Sequence, residues 1–168
     1  MKILIAYTTK TGCCAECAKL LAAQLTNHTV DVYDISLEKP NIEAYELCII
    51  GGSIRFGRLE KNVYKFITDN KNLLMNIKTA YFICNAFSDQ SEYYFKKAFP
   101  RWAIDGALLF DSFGGELKLD KQKGLDKLIV KMILKENEEN DEFAMPNILT
   151  EAIGRFADKI KTIKEKER

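Results

Sequence analysis

The residues with the richest chemistry lie near the start of the chain, in the stretch YTTKTGCCAEC at positions 7–17. The stretch combines hydroxyl side chains, one glycine and three cysteines directly behind the short apolar run MKILIA. Such residues could cradle an anion with backbone N–H groups and hydroxyls, or they could use thiols for redox chemistry or metal binding. The elements on either side of the stretch decide which chemistry is favoured.

The segment TTKTGCC follows a predicted first strand and opens a predicted first helix. Backbone N–H groups and the helix dipole at such a position favour a phosphate. Thr9 and Thr11, with Thr8 as a further candidate, would add hydroxyl donors, and Gly12 would let the backbone come close. The same threonines could instead only cap the helix. Neither GxxxxGK[ST] nor GxGxxG is present, so a nucleoside triphosphatase loop and a dinucleotide loop are not predicted.

Short apolar runs alternate with segments of helical periodicity along the chain, which predicts an α/β fold with a doubly wound parallel sheet. The five predicted strands lie at 2–7, 29–33, 47–50, 81–84 and 107–110. A modest helix is predicted over 92–99, and a last helix is predicted behind Pro146. Three apolar stripes at helical spacing mark the first helix, the helix after the third strand and the last helix: Cys14, Cys17, Ala18, Leu21, Ala22 and Leu25, then Leu59, Val63, Phe66 and Ile67, then Leu149, Ala152, Ile153, Phe156 and Ile160. In such sheets a ligand binds outside the carboxyl ends of the strands, where the strand order reverses.

Length and composition indicate one globular domain spanning residues 1–168. The chain has 47% hydrophobic and 29% charged residues, and no apolar run approaches the roughly 20 residues of a membrane span. The start of the chain reads as a strand and not as a signal peptide, and an odd number of cysteines fits a reducing compartment. We therefore expect a cytoplasmic protein. With a net charge of +1, no nucleic-acid partner is expected.

The loop TTKTGCC resembles the phosphate loop of flavodoxins, written TxTGxT, which holds the terminal phosphate of FMN without a metal. The residues that fall on this pattern are Thr9, Lys10, Thr11, Gly12, Cys13 and Cys14. Cys14 replaces the last hydroxyl residue, and a thiol is a poor hydrogen-bond donor. The resemblance therefore implies that Ser or Thr at position 14 would preserve or tighten phosphate binding.

Two further loops extend the resemblance to flavodoxins. GGSIRFGRLEKNV, at 51–63, stands at the first flavin-flanking loop, and NAFSDQSEYY, at 85–94, stands at the second. The resemblance implies the flavodoxin strand order 2-1-3-4-5 and adds to the FMN-binding residues Ser53, Ile54, Arg55, Phe56, Gly57, Asn85, Ala86 and Phe87. Phe56 or Ile54 would flank the ring, while Arg55 would face an anionic substrate or the flavin N1 region.

Each of these residues also has a plainer interpretation. Arg55 and Phe56 could be a surface charge and a core aromatic, and Asn85 could simply end a strand. Residues 113–115 could form an ordinary turn after the fifth strand, or they could open a third side of the site.

The segments GGSIRFG, FICNAF and DGALLFDSFGGELKLDKQKGLDKLIVKMILK resemble the bacterial flavodoxin-like, menaquinone-linked protoporphyrinogen oxidases. This resemblance implies an FMN-dependent oxidoreductase that passes electrons from a reduced substrate to a quinone. A flavodoxin-like electron carrier that docks to redox protein partners is the alternative. Such carriers are typically acidic, and the near-neutral charge counts against one here. A protein that has lost its flavin and serves only in interactions also stays open.

An insert is predicted between the fifth strand and the last helix, at 114–145. Its helix is apolar over most of its surface, with a stripe formed by Lys127, Lys131 and Lys135. The segment 118–135 could contact a membrane surface, a quinone or a partner chain, or it could pack as a core helix with a solvated edge. The oligomeric state stays open.

The cysteines allow a thiol-based alternative. Cys14 and Cys17 match the CxxC spacing of thiol redox proteins, for which replacing Cys14 with Ser would destroy activity. Cys17 lies on the apolar stripe, however, which favours a small buried hydrophobe. Because Cys48 and Cys84 are expected to be isolated in strands, and His28 is the single histidine, we expect neither a metal site nor a Ser/His/Asp triad. No residue stands out as a general acid or base.

Overall fold

The computed structural model describes residues 1–86, 90–116 and 146–163, together with positions 127, 131, 132 and 135. Within these residues one sheet contains five parallel strands, β1 (Lys2–Tyr7), β2 (Thr29–Asp34), β3 (Leu47–Arg55), β5 (Lys78–Cys84) and β6 (Leu109–Ser112). Their spatial order is β2-β1-β3-β5-β6. A short strand β4 (Arg58–Leu59) pairs antiparallel with the end of β3. The predicted flavodoxin-like order of the parallel strands is confirmed, and β4 is an addition.

Helices cover both faces of the sheet, as parallel strands joined by crossovers require. They are α1 (Cys13–Gln24), α2 (Lys61–Asp69), α3 (Lys71–Leu74), α4 (Ser91–Ala98), α5 (Arg101–Asp105) and α6 (Thr150–Lys161). The connection from β2 to β3 holds one 3₁₀ turn, Ile42–Ala44.

Alternate residues of the central strands build two cores. Ile5 and Ile49 point to the face covered by α1 and α6, whereas Leu4 and Ile50 point to the face covered by α2, α4 and α5. All four side chains are fully buried, and burial of an aliphatic side chain stabilises a protein by about 1.5–3 kcal/mol. The sheet is therefore held rigidly from both sides, and its loops are positioned by it.

Several boundaries differ from the prediction. Strand β3 runs on to Arg55 and not only to residue 50, and β5 begins at Lys78, three residues earlier than expected. Leu59 belongs to β4 and not to the helix stripe, because the chain turns back on β3 before α2 begins at Lys61. The last helix begins at Thr150 and not near Pro146, since Ile148 is still engaged in a bridge with Gly114. Strand β6 begins at Leu109, two residues later than expected.

The strand order reverses between β1 and β3. From β1 the chain moves outward to β2, then crosses back to β3 and continues to β5 and β6 on the other side. Such a reversal opens a crevice at the carboxyl ends of the two strands where it occurs. The loops that follow β1 and β3 therefore border the expected ligand position.

The two ends of the predicted insert lie side by side, and residues 113–115 and 147–149 together form what we call the neck of the insert. The amide of Gly115 donates to the carbonyl of Asn147 at 3.1 Å, and the amide of Leu149 donates to the carbonyl of Phe113 at 2.9 Å. Residues 117–145 connect the two sides of this neck, and most of them lie outside the described residues. Of the insert lysines, Lys127, Lys131 and Lys135 are described, and all three are helical and exposed. Among the described residues, no helix is long and apolar enough to cross a membrane.

Candidate functional site

The loop between β1 and α1 forms a tight turn whose open side is a helix N-terminus. The amide of Gly12 donates to Thr9 Oγ1 at 2.9 Å, and α1 begins at the next residue, Cys13. Gly12 has φ 90° and ψ −16°, a left-handed conformation that glycine adopts without strain. Amide N–H groups in the first turn of a helix point out of it, so this loop presents donors to an anion. Thr9 and Thr11 are half-buried beside these donors, and Lys10 is exposed.

The loop is tied to the segment that follows β3. Thr8 is buried and donates from Oγ1 to Glu60 Oε2 at 2.9 Å. The same oxygen of Glu60 accepts from the amides of Asn62 (2.8 Å) and Val63 (3.3 Å), and so caps the start of α2. One carboxylate therefore holds two of the predicted cofactor loops together.

We expect Glu60→Ala to lower the free energy of unfolding by about 1–2 kcal/mol, because it removes a helix cap and leaves a buried hydroxyl without its acceptor. Urea unfolding followed by circular dichroism measures this. Glu92→Ala is the control, since Glu92 pairs with Lys96 at an exposed site and its loss should leave stability nearly unchanged. Equal stability of the Glu60 variant and the wild type would show that the Glu60 carboxylate does not hold the two loops together.

The segment after β3 is a tight hairpin with an exposed aromatic residue at its tip. Ile54 pairs with Leu59 and Arg55 with Arg58, which leaves Phe56 and Gly57 as a two-residue turn. Both have positive φ, 51° and 71°, as a type I′ turn requires. A bulky residue at positive φ is a rare and strained choice, and Phe56 is also 67% exposed. Phe56 is therefore exposed, and the alternative interpretation that it is a core aromatic is wrong.

The segment after β5 is fixed by buried hydrogen bonds. The backbone N–H of Asn85 donates to the carbonyl of Gly114 at 2.9 Å, and Ser112 Oγ donates to the side-chain Oδ1 of Asn85 at 2.6 Å. Asn85 thus joins the end of β5 to the neck of the insert. Ala86 follows it, and Phe87 lies outside the described residues. Phe113 is fully buried and stacks on Phe82 with ring centroids 4.6 Å apart, so its side chain belongs to the core and not to a third side of the site.

The arrangement fits a phosphate-bearing aromatic cofactor. A helix N-terminus and two threonine hydroxyls suit the phosphate, and the exposed ring of Phe56 suits a flat partner. Ser53, at the end of β3, has a buried hydroxyl with no hydrogen-bond partner among the described residues. An unsatisfied buried hydroxyl costs about 1–3 kcal/mol, so Ser53 Oγ is a position where a ligand atom could supply the missing hydrogen bond.

The cysteines behind the loop are buried and in mutual contact. Cys14 is 1% exposed and its thiol contacts Cys84, so its backbone N–H, rather than its thiol, is the group suited to an anion at the loop. The sulfur atoms of Cys17 and Cys84 are 3.7 Å apart. The prediction that Cys84 is isolated is wrong, because the end of β5 packs directly against α1.

The thiol environment does not favour CxxC redox catalysis, which needs a low-pKa thiolate. A contact with the Cys13 thiol, followed by burial, raises the pKa of Cys17 well above its ordinary value. Contacts with the thiols of Cys13, Cys14 and Cys17, together with burial, raise the pKa of Cys84 as well. Cys17 is therefore a neutral, buried thiol at pH 7, as its place on the apolar stripe predicts.

We expect stability to fall as the pH rises above about 9, because buried thiols such as Cys48 resist ionisation in the folded state. Burial raises the pKa of Cys48 from 9.0, so its contribution is fully present below pH 9 and is lost above it. Urea unfolding between pH 8 and pH 10.5 measures this loss, which approaches about 1.4 kcal/mol per pH unit for each such thiol. Cys48→Ala should make the fall of the unfolding free energy with pH less steep by the contribution of one thiol. An unchanged slope would show that ionisation of Cys48 does not cause the loss.

Comparison with known proteins places the fold and the site in a family. A family model described as "Flavodoxin domain" matches residues 4–143. The protoporphyrinogen IX dehydrogenase [quinone] of Escherichia coli strain K12 is 26% identical over 147 residues, which cover 80% of each chain.

Solved structures show the same fold. A short-chain flavodoxin associated with a bacterial microcompartment has a TM-score of 0.56 and 15% identity, and covers 96% of this chain and 98% of its own. A Bacillus cereus flavodoxin 1 has a TM-score of 0.54 and 14% identity, and covers 98% and 100%. A flavoprotein in complex with FMN from Lactobacillus acidophilus has a TM-score of 0.52 and 17% identity, and covers 66% and 92%. The family model spans most of the chain, and the strand order is that of the flavodoxin fold: the protein belongs to the flavodoxin domain family.

Proposed function

We propose that this flavodoxin-domain protein is an FMN-dependent oxidoreductase that takes hydrogen from a reduced tetrapyrrole such as protoporphyrinogen IX and passes the electrons to a quinone. The main support for the proposal is the position of two loops where the strand order reverses. The loop between β1 and α1, here called the phosphate-type loop, is hydrogen-bonded to the segment that carries the strained Phe56 hairpin. Family membership supports FMN as the cofactor. The name of the E. coli relative supports the substrate and the acceptor.

The residues of the chain would bind and orient the cofactor. FMN, when bound, supplies transfer of electrons singly or as hydride. The amide groups at the start of α1, with the Thr9 and Thr11 hydroxyls, would hold its terminal phosphate. The ring of Phe56 would lie against the flavin, and Ser53 would donate to a polar edge of it. The rigid sheet beneath these loops would keep the reacting ring at one place.

The insert supports a large anionic substrate or an anionic surface. Its neck lies beside Asn85, at the same end of the sheet as the crevice. Lys127, Lys131 and Lys135 are exposed, and the segment 118–135 holds six lysines against two aspartates, so this part of the insert is positively charged. Such charge would attract the carboxylates of a tetrapyrrole or the headgroups of a quinone-bearing membrane. Contact with the membrane through 118–135 and a cytoplasmic location are parts of this proposal.

A second candidate is a flavodoxin-like carrier that exchanges electrons with another protein. The exposed Phe56 favours it, since an aromatic residue at a hairpin tip also suits a protein interface. The net charge of +1 counts against it, because charge far from zero is what steers carriers to their partners.

An anaerobic assay separates the two candidates. The FMN-loaded protein is mixed with protoporphyrinogen IX and a menaquinone analogue, and porphyrin formation is followed by fluorescence. We expect a rate that depends on the protein, on FMN and on the quinone, and that exceeds the rate with free FMN. An FMN-loaded protein that accepts electrons from a flavodoxin reductase but does not accelerate porphyrin formation would contradict the oxidase proposal. That result would instead support the electron-carrier candidate.

A further inference from the structure

Three cysteine sulfurs converge in the core directly behind the phosphate-type loop. Cys13 is the first residue of α1, Cys17 lies one turn further on the same helix, and Cys84 is the last residue of β5. Their Sγ atoms all lie within 4.8 Å of one another. The exposed fractions of the three residues are 6%, 0% and 4%, so the cluster is closed to solvent.

The geometry suits a single small ion bound by three sulfurs. An equilateral triangle with sides of 4.8 Å has its centre about 2.8 Å from each corner, an upper bound for this cluster, and metal–sulfur bonds are about 2.3 Å long. A movement of about half an ångström per side chain would therefore complete the coordination. Cys13 and Cys17 stay in place because they are four residues apart on one helix face.

The local field helps to keep the sulfurs ionised once an ion is present. The cluster lies at the N-terminus of α1, where the helix dipole stabilises negative charge. Without an ion, contact with Cys13 raises the pKa of both Cys17 and Cys84. An ion that binds would release thiol protons to solvent, and its affinity should rise with pH.

The number and softness of the ligands define the class of ion. Structural zinc is almost always four-coordinate. Among the described residues three thiols lie within 4.8 Å of one another in this dry environment, and the Cys14 thiol contacts Cys84 but does not belong to that group. Thiolates select soft ions, among them Cu(I). We propose that Cys13, Cys17 and Cys84 form a closed three-sulfur site for a soft monovalent cation of the Cu(I) class.

The test uses the reduced, FMN-loaded protein under anaerobic conditions, with Cu(I) added in the presence of a competing chelator. We expect native mass spectrometry to show one copper per chain, X-ray absorption to show three sulfur neighbours, and the melting temperature to rise on loading. Ag(I), which has no redox chemistry here, should bind with the same stoichiometry.

Cys48→Ala is the matched control, because Cys48 is equally buried but lies on the opposite face of the sheet. Cys17→Ala and Cys84→Ala should each lower Cu(I) affinity about 100-fold or more, which corresponds to about 2.7 kcal/mol, while Cys48→Ala should leave it unchanged. Cys13→Ala, at the helix start, serves if a core variant fails to fold. Flavin absorbance and circular dichroism report folding separately from copper binding.

Four outcomes would overturn the proposal. They are a wild-type protein that retains no copper against the chelator, copper retained equally by the Cys17, Cys84 and Cys48 variants, tighter binding of Zn(II) than of Cu(I), and a disulfide between Cys17 and Cys84 in the protein as purified.

Discussion

We expect Gly12→Val to lower the affinity for FMN at least about 100-fold, which corresponds to about 2.7 kcal/mol. Gly12 has φ 90°, and a β-branched residue is strongly disfavoured there. The turn closed by the Gly12 amide and Thr9 would open, and the amide groups at the start of α1 would lose their common direction. Hydrogen bonds to a charged group contribute about 1.5–3 kcal/mol each, so the loss of even one or two accounts for the effect. Titration of FMN fluorescence measures the affinity.

Gly154→Ala is the matched control for this variant. Gly154 lies within α6 at an ordinary backbone conformation, and an added Cβ would meet Gln24 Oε1 at a normal contact distance of 3.6 Å. Alanine favours a helix by up to about 1 kcal/mol over glycine, so this variant should be slightly more stable and should bind FMN normally. Normal FMN binding by Gly12→Val would show that the loop does not hold the phosphate.

The second large effect is expected at Phe56, where stability and cofactor binding should change in opposite directions. Phe56→Asn converts the hairpin turn to Asn-Gly, the favoured pair for a type I′ turn, and removes the strain of an aromatic residue at φ 51°. We expect the free energy of unfolding to rise by about 1 kcal/mol. Loss of the ring should weaken FMN binding about 30-fold, or about 2 kcal/mol, by analogy with the 1–3 kcal/mol measured for base–aromatic stacking.

Met75→Asn controls for the removal of an exposed apolar side chain. Met75 is 61% exposed, close to the 67% of Phe56, but it precedes β5 and so lies at the opposite end of the sheet from the crevice. It should leave FMN affinity unchanged. A Phe56→Asn variant that binds FMN as tightly as the wild type, or that is less stable, would show that the strained turn does not serve the cofactor.

The sequence predicts the framework of this fold well because the framework rests on local patterns. The run that forms β1 is apolar and bounded by polar residues, and the stripe through Cys17 and Leu21 repeats at helical spacing, so both elements appear where expected. The strand order follows from the resemblance, and the structure confirms it.

The features missed depend on contacts between distant residues or on unusual turns. Cys17 and Cys84 are 67 residues apart in sequence, and no periodicity shows that the end of β5 meets α1. The hairpin turn has Phe56 where Asn is usual, so its sequence does not look like a typical type I′ turn. The spacing of the apolar residues instead indicates a helix stripe that includes Leu59, which in fact belongs to β4. The Thr8–Glu60 hydrogen bond likewise becomes visible only once the two loops lie side by side.

The most direct test of the cofactor crevice is the visible absorption spectrum of the purified protein before and after FMN is added. We expect the bands of oxidised flavin, with FMN retained through gel filtration by the wild type and by Gly154→Ala, and lost by Gly12→Val. A colourless protein that does not take up FMN would contradict the crevice, and with it both the oxidase and the carrier.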